Sequence, residues 1–177
     1  MKFIKSLYLN NFFFYVLLGI IGMFVCAFIF PALYNAVWFI VLVLITFLVL
    51  DVLLLYLAKT GIEATRETPE KLSNGDQNPV TISIENHYTF PILIKIIDEI
   101  PFQFQVRDFK ILRTIKASSH DKIGYDLRPT ERGEYYFGNL NIYVSSPLKL
   151  ISRRFKFDKD KMVPTYPSYI QLRKYDL

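Results

Sequence analysis

One carboxylate lies within an otherwise uncharged part of the sequence, and it is the first residue to consider for chemistry. Asp51 follows 45 consecutive residues, 6–50, that contain no Asp, Glu, Lys or Arg. A carboxylate in an apolar segment is costly to bury and commonly marks a proton, ion or pairing site. Because Asp51 lies about two helical turns before Lys59, an interfacial or helix-pairing role is favoured. A functional role within the membrane is the alternative.

A second group of charged residues lies between positions 149 and 161, where the net charge is +4. The residues of this group that could contact a membrane or a partner are Lys149, Arg153, Arg154 and Lys156. Lys159 and Lys161 continue the basic run, against Asp158 and Asp160. An edge strand kept soluble by its charges is the favoured interpretation, and contact with anionic lipid headgroups is the alternative. Nucleic acid is disfavoured, because Phe155 and Phe157 alternate as core residues would.

Residues for catalysis or metal binding are sparse. His87 and His120 are the only histidines, and neither has a cysteine or second histidine at metal-ligand spacing. The carboxylate pairs are Asp98 with Glu99 and Asp158 with Asp160, and both pairs are expected on the solvated surface. The sequence contains no phosphate-binding glycine loop and no nucleophile elbow. We therefore expect a non-enzymatic protein with no catalytic residue, cofactor or metal.

The uncharged region contains two runs long enough to cross a bilayer. Residues 12–30 and 36–58 each approach or exceed the roughly 20 residues that span a hydrocarbon core, and Pro31 separates them. An isolated span must satisfy its backbone internally, so both runs are predicted to be helical. Residues 1–59 therefore form an N-terminal tail and a transmembrane helical hairpin. A cleaved signal peptide is disfavoured, because a second span follows directly.

Flanking charges predict the orientation of the hairpin. The cations near its ends are Lys2, Lys5, Lys59, Arg66 and Lys71, whereas the connecting turn carries no charge. Since basic residues favour the cytoplasmic side, both termini and the following domain are predicted to be cytoplasmic. Tyr34 and Trp38 suit an aromatic belt at the outer interface.

From position 60 the hydrophobic period changes to two. Apolar and polar residues alternate in 80–85, 123–128 and 140–145, and 92–97 forms a further apolar strand. Gly138-Asn139 is typical of a tight hairpin turn with positive φ. Several short strands at about ten-residue spacing predict an antiparallel, immunoglobulin-like β-sandwich over residues 60–167. The expected fold class is thus a membrane-anchored all-β protein.

The order of several turn motifs resembles a bacterial family, the MoxR-associated membrane proteins called domain of unknown function fifty-eight. An Arg-Gly turn precedes an aromatic strand, a glycine begins the next hairpin, and a Tyr-Pro step closes the domain. The matching residues are Arg132, Gly133, Gly138, Pro147, Leu148, Tyr166 and Pro167. Lys149 stands where the family more often has glycine, so this turn is expected to differ locally.

The resemblance implies two membrane spans and a β-sandwich, usually continued by a von Willebrand factor A-like domain and encoded beside a MoxR-type ATPase. Residues 168–177 would then be a linker toward a missing C-terminal domain, which carries the family's partner or metal site. The function implied is a scaffold or adaptor for an ATPase-linked assembly system in the bacterial inner membrane. The alternative is an accessory subunit of a membrane transport or cell-envelope enzyme complex, in which Asp51 acts within the membrane.

Overall fold

The computed structural model describes residues 2–58, 60–106, 109–157 and 160–168 of the 177-residue chain. The side chains of residues 2 and 3 lie outside this description. Three α-helices come first: α1 (Lys2–Ser6), α2 (Asn11–Ile29) and α3 (Tyr34–Leu57). A 3-10 turn, Pro31–Leu33, joins α2 to α3. Proline suits this position because it lacks the amide hydrogen that a continuing helix would need.

Eleven short strands account for most of the remaining described residues. They are β1 (Leu7–Leu9), β2 (Ile62–Glu67), β3 (Leu72–Ser73), β4 (Asn78–Asn86), β5 (Ile92–Asp98), β6 (Ile111–Ile115), β7 (His120–Leu127), β8 (Gly133–Phe137), β9 (Leu140–Ser145), β10 (Ile151–Phe157) and β11 (Lys161–Tyr166). A second 3-10 turn, Phe102–Phe104, precedes β6. Strands β4, β5, β7 and β9 contain the alternating segments that predicted them.

The strands form three sheets. The largest has the order β1-β10-β9-β5-β6 and is antiparallel throughout, as is the sheet β2-β4-β7. The third sheet has the order β3-β11-β8, and its β3–β11 pair is parallel. The predicted combination of two long apolar helices and antiparallel β-sheets is thus present.

Isoleucines from facing strands form the main core. Alternate residues of β4 and β5 are fully buried, including Ile82 and Ile84 on β4 and Ile94 and Ile96 on β5. They pack with residues of β7, β9 and β10 in one cluster between the sheets, which makes the domain a β-sandwich. Leu55 of α3 belongs to the same cluster. The last turns of α3 therefore share the core of the sandwich.

The prediction of a hairpin turn at Gly138-Asn139 is wrong. Strand β8 pairs with β11, whereas β9 pairs with β5 and β10, so these two residues carry the chain between sheets. Gly138 is absent from the positive-φ residues of the described chain. A Cβ at Gly138 would lie 2.5 Å from Glu99 Oε2, and the Gly138 amide donates to the Glu99 carbonyl at 2.9 Å. A larger residue here would therefore overlap the Glu99 side chain.

Strand β10 carries the predicted basic segment, but it does not lie at an edge. Leu7, Tyr8 and Leu9 of β1 pair with Arg153, Ser152 and Ile151. Strand β9 occupies the other side of β10. The N-terminal segment before α2 therefore extends the large sheet and covers Ile151, Ser152 and Arg153. The edge-strand interpretation is wrong for this half of β10, whereas β1 does not pair with residues 154–157.

Helices α2 and α3 contact each other through a small seam. Ile20 and Ala27 of α2 pack with Val37 of α3, and the rings of Phe24 and Trp38 meet edge to face at 5.8 Å. The segments Asn11–Ile29 and Pro31–Leu57 are each long and apolar enough to cross a membrane, and 11% of the most apolar window of each is buried. Most of the length of both helices thus lies outside the core of the described fold.

Candidate functional site: the helix–sandwich junction

Asp51 binds the turn between β9 and β10. It is fully buried, and its Oδ2 atom accepts hydrogen bonds from the amides of Leu150 and Ile151, both at 3.0 Å. Its Oδ1 atom accepts a hydrogen bond from the hydroxyl of Ser146. The carboxylate of an apolar helix is thus satisfied by a turn of the sandwich. We call Asp51, Asn10 and the turn Ser146–Leu150 the junction.

The turn itself is shaped to meet the helix. The Ser146 hydroxyl accepts the Leu148 amide at 3.0 Å, and the Lys149 amide donates to the Ser146 carbonyl at 3.2 Å. Lys149 has φ of 57°, in the left-handed region that favours glycine. This conformation directs the next two amides toward Asp51.

Asn10 holds the same turn from the start of α2. Its backbone amide donates to the Leu150 carbonyl at 3.0 Å, and its side-chain amide donates to the carbonyls of Lys149 and Ile151, both at 3.1 Å. The side-chain amide also donates to Ser145 Oγ at 3.1 Å, and Ser152 Oγ donates to Asn10 Oδ1. Both apolar helices are therefore bonded to one β-turn.

The two serines close a ring with Asn10. Their hydroxyl oxygens are 2.9 Å apart, and the Ser152 hydrogen is already donated to Asn10 Oδ1. Ser145 is therefore the donor between the serines. Each polar atom of this buried ring has a partner within the protein. The ring is therefore a rigid element and does not offer unpaired donors to a ligand.

The carboxyl end of α3 has its own partners from the sandwich. Arg153 Nη1 donates to the Leu55 carbonyl at 2.6 Å, and the Tyr88 hydroxyl donates to the same oxygen at 2.9 Å. The guanidinium of Arg153 lies 4.7 Å from the ring centre of Tyr56. A cation at this end of a helix bonds terminal carbonyls and complements the helix dipole. Arg153 thus joins α3 to β10.

Burial raises the pKa of the Tyr88 hydroxyl above its ordinary value, and the nearby Arg153 offsets part of that shift. Tyr88 is therefore a neutral donor at physiological pH, which suits its bond to the Leu55 carbonyl. Tyr88 is fully packed in the core, with its ring 5.0 Å from that of Phe90.

The predicted basic contact residues do not form one surface. Arg154 donates two hydrogen bonds to Asn141 Oδ1, at 3.1 and 2.7 Å, and one to the Tyr8 hydroxyl at 3.3 Å. Arg153 bonds α3, as described above, whereas Lys149 and Lys156 are exposed. The predicted residues Lys59, Asp158 and Lys159 lie outside the described residues. Of the four predicted contact cations, Arg153 and Arg154 therefore form contacts within the chain.

The expectation that Asp98 lies on a solvated surface is wrong. Its side chain is 0% exposed and forms an ion pair with Arg66, whose side chain is 1% exposed. The Tyr125 hydroxyl donates to the second carboxylate oxygen, and Arg66 Nη2 donates to the Gly138 carbonyl at 3.0 Å. Burial, followed by the charge of Asp98, raises the pKa of Tyr125 above its ordinary value. These groups connect β2, β5 and β7 across the core.

The neighbouring Glu99 is exposed but binds the link between β8 and β9. Its Oε2 atom accepts from the Asn139 amide at 2.8 Å, and its Oε1 atom accepts from Asn141 Nδ2 at 2.8 Å. Partial burial raises the pKa of Glu99, but these hydrogen bonds lower it by more, so that the pKa lies below its ordinary value of 4.5. The pair Asp98-Glu99 therefore has two separate structural roles.

One group of described side chains has a composition compatible with a divalent cation. Glu63 and Glu85 are paired across β2 and β4, and the His87 ring nitrogens lie 3.8 and 3.9 Å from their carboxylates. The two nitrogens face different carboxylates, and both glutamates are more than half exposed. This arrangement favours a structural role over a metal site: His87 lies between two like-charged glutamates on paired strands and relieves their repulsion. Sequence spacing missed it because Glu63 lies on another strand.

The other residues singled out by motif lie at turns. Arg132 is exposed before β8, Gly133 begins β8 with φ of 141°, and Pro147 is exposed in the junction turn. Tyr166 ends β11, with Lys71 Nζ 5.8 Å from its ring centre, and Pro167 follows in a bend. Of the motif residues, Pro147 and Leu148 belong to the junction.

Replacement of Gly61 by alanine should destabilise the packing of the sandwich where α3 enters it. Gly61 connects α3 to β2 with φ of 67°, and an added Cβ would lie 2.7 Å from Phe155 Cζ and 3.0 Å from the Tyr88 hydroxyl. Left-handed backbone strain and overlap together should lower the free energy of unfolding by about 2 kcal/mol. Urea unfolding of the detergent-solubilised chain measures this change.

Gly124→Ala is the matched control for Gly61→Ala. Gly124 lies within β7, and the nearest atom to an added Cβ is the Val80 carbonyl oxygen at 4.0 Å. This substitution should leave the urea midpoint nearly unchanged. Equal midpoints for the two variants would contradict the packing described at Gly61.

Comparisons with known proteins assign no family. No protein-family model matches the sequence, and no curated protein matches it. Among solved structures, the ASH/PapD-like domain 7 of human CEP192 is similar, with 13% identity and a TM-score of 0.46, over 62% of this chain and 87% of that chain. The CARDB domain of a Pyrococcus furiosus protein, solved in complex with di-metal ions, is also similar. Its identity is 11% and its TM-score 0.42, over 59% of this chain and 87% of that chain. A Listeria innocua β-glucosidase has 12% identity and a TM-score of 0.33, over 61% of this chain and 16% of that chain. These likenesses are too distant to assign a function.

Proposed function

We propose that this chain is a non-enzymatic, membrane-anchored scaffold that presents its β-sandwich in one fixed orientation at the membrane surface. The observation that carries the proposal is the junction. Asn10, which precedes α2, and Asp51 of α3 bond the same β-turn, and Leu55 of α3 lies in the sandwich core. A domain fixed in this way suits an adaptor, because its binding surfaces keep a constant height and direction.

Exposed apolar surface supports membrane anchoring. The outward side chains of α2 and α3 include Leu18 at 68% exposure, Phe28 at 89% and Phe39 at 65%. Contiguous apolar surface of this extent is unfavourable in water and marks a membrane or protein contact. The polar atoms of the junction lie where α2 begins, so the bilayer boundary is placed at Asn10 and Asp51. In this arrangement the final turns of α3 lie outside the hydrocarbon core.

The partner proposal rests on the family resemblance. The turns at Arg132-Gly133, Pro147-Leu148 and Tyr166-Pro167 resemble those of MoxR-associated proteins, which supports a MoxR-type ATPase or a von Willebrand factor A-like protein as partner. The flanking lysines support a bacterial inner membrane location with both termini and the sandwich in the cytoplasm. No nucleic acid is proposed.

Two measurements in bacterial cells test this function. Resistance of the chain to alkaline carbonate extraction is expected if α2 and α3 span the membrane. A reporter that works only in the cytoplasm should be active when it is fused after Leu177, and a reporter that works only in the periplasm should be inactive there. Complete extraction by carbonate would refute the anchor, and a periplasmic reporter signal would refute both the orientation and the ATPase proposal.

The alternative function, an accessory subunit of a transport or envelope enzyme complex, depends on a chemical role for Asp51. Both carboxylate oxygens of Asp51 accept hydrogen bonds from the junction turn. These contacts favour docking as the role of Asp51. Docking also differs from the helix-pairing role expected from the sequence, since the partner of Asp51 is a β-turn and not a helix.

A further inference from the structure

A groove of about 370 Å³ lies beside the junction, on the outer face of the large sheet. Its walls are the β1–α2 connection on one side and residues of β5, β6 and β9 on the other. Leu93 and Leu112 contribute apolar surface, and Lys95 and Lys149 contribute the charges. None of the described residues that line the groove carries a carboxylate. The groove is therefore cationic with an apolar wall.

The Lys95 side chain has an aromatic neighbour, and Lys149 is bonded through its backbone. Lys95 Nζ lies 4.8 Å from the ring centre of Tyr143, and that ring packs edge to face against Tyr8 at 5.1 Å. The Lys149 carbonyl accepts from Asn10 Nδ2, which fixes the backbone from which its exposed side chain extends. The ring of Asn10, Ser145 and Ser152 supports the groove from beneath.

The groove also lies at the level where apolar helix surface begins. Asn11, the first residue of α2, lines it, and the next residue, Phe12, is 51% exposed. Leu148, directly before Lys149, lines a separate apolar groove between α2 and α3 with Phe12 and Val16. The change from cationic to apolar surroundings thus occurs within one residue of the junction turn. Anionic phospholipids have this combination of a charged headgroup and an apolar chain.

We propose that the groove lined by Lys95 and Lys149 binds the phosphate of an anionic phospholipid, so that a headgroup occupies the side of the junction. This inference rests on the membrane anchoring proposed above. The chemistry shared by all possible ligands is a phosphate anion, and a bilayer lipid is the source that the position of the groove favours. Binding involves charge pairing and burial of apolar surface, with no covalent step.

The test uses the full chain in nanodiscs containing equal amounts of phosphatidylglycerol and phosphatidylcholine. Lipid that remains bound after transfer to detergent is counted by native mass spectrometry. The wild-type chain should retain phosphatidylglycerol selectively, and the double variant Lys95→Gln/Lys149→Gln should lose about 30-fold of that selectivity. The matched control Lys116→Gln/Lys122→Gln removes two exposed charges outside the groove and should behave as wild type.

Three outcomes would overturn the lipid site. They are equal retention of both lipids by the wild-type chain, unchanged selectivity in the Lys95/Lys149 variant, and displacement of phosphatidylglycerol by millimolar inorganic phosphate. The last outcome would identify a soluble phosphate as the ligand. Carbonate extraction of the same variants separates this result from failure of the anchor, because loss of selectivity with intact membrane insertion refutes the lipid site alone.

Discussion

Replacement of Asp51 by asparagine should release the sandwich from the helices. The Leu150 and Ile151 amides both donate to Asp51 Oδ2. If asparagine places its NH2 group at this position, neither amide has an acceptor, because NH2 is itself a donor. If the amide is flipped, its oxygen still accepts from the two backbone amides but without the negative charge, and the Ser146 hydroxyl loses its acceptor. Hydrogen bonds to a buried carboxylate contribute about 1.5–3 kcal/mol each, so we expect the junction to lose about 3 kcal/mol.

Hydrogen exchange of the full chain in nanodiscs measures this effect. Protection of the Leu150 and Ile151 amides should fall by about 100-fold in Asp51→Asn, while the Ile94 and Ile142 amides in the sandwich core keep their protection. Thr46→Val is the matched control, because Thr46 lies on the same helix and bonds only to the Leu42 carbonyl within it. Unchanged protection of the turn in Asp51→Asn, together with loss of a cellular activity, would favour the accessory-subunit function instead.

Removal of Asp98 should destabilise the sandwich itself. Asp98→Ala leaves the guanidinium of Arg66 buried beside the Phe137 ring, whose centre is 5.1 Å away. It also removes the acceptor of the Tyr125 hydroxyl. Loss of one member of a buried ion pair lowers the free energy of unfolding by about 3–5 kcal/mol. Urea unfolding of the detergent-solubilised chain, followed by circular dichroism of the sheets, measures the loss.

Two further variants make the Asp98 result specific. Asp126→Ala removes an exposed carboxylate from β7 and should change the free energy of unfolding by less than about 0.5 kcal/mol. Adding Arg66→Met to Asp98→Ala also removes the buried charge that Asp98 balanced and should recover part of the loss. If Asp98→Ala is as stable as Asp126→Ala, the ion pair does not have the structural role assigned to it.

The sequence predicts the elements of this fold better than their connections. Uncharged length locates α2 and α3, because no other pattern keeps 45 residues free of charge. Alternation locates β4 and β7, since one face of each strand is buried. Strand β1 escaped prediction because Leu7–Leu9 is short and merges with the apolar run that follows it. The pairing of β1 with β10 is a tertiary contact with no local signal.

Within the candidate site, the sequence singled out Asp51, Lys149 and the turn at Pro147-Leu148, but it did not predict their contacts with one another. Asp51 is conspicuous because it is charged within an apolar helix, but its partners lie about one hundred positions away in sequence. Asn10 and Ser146 are common polar residues in turns and helix caps, so their types indicate no docking role. Asp98 was misassigned for the same reason, because its partner Arg66 comes from another sheet.

The junction should hold the sandwich in one orientation relative to the helices. Spin labels at Asn35→Cys on α3 and Lys122→Cys on β7, in a Cys26→Ser background, report the distance between anchor and sandwich by pulsed electron resonance. In nanodiscs we expect one narrow distance distribution, which broadens when Asp51→Asn is added. A broad distribution with Asp51 intact would contradict a fixed orientation and would show that the sandwich is only tethered to its helices.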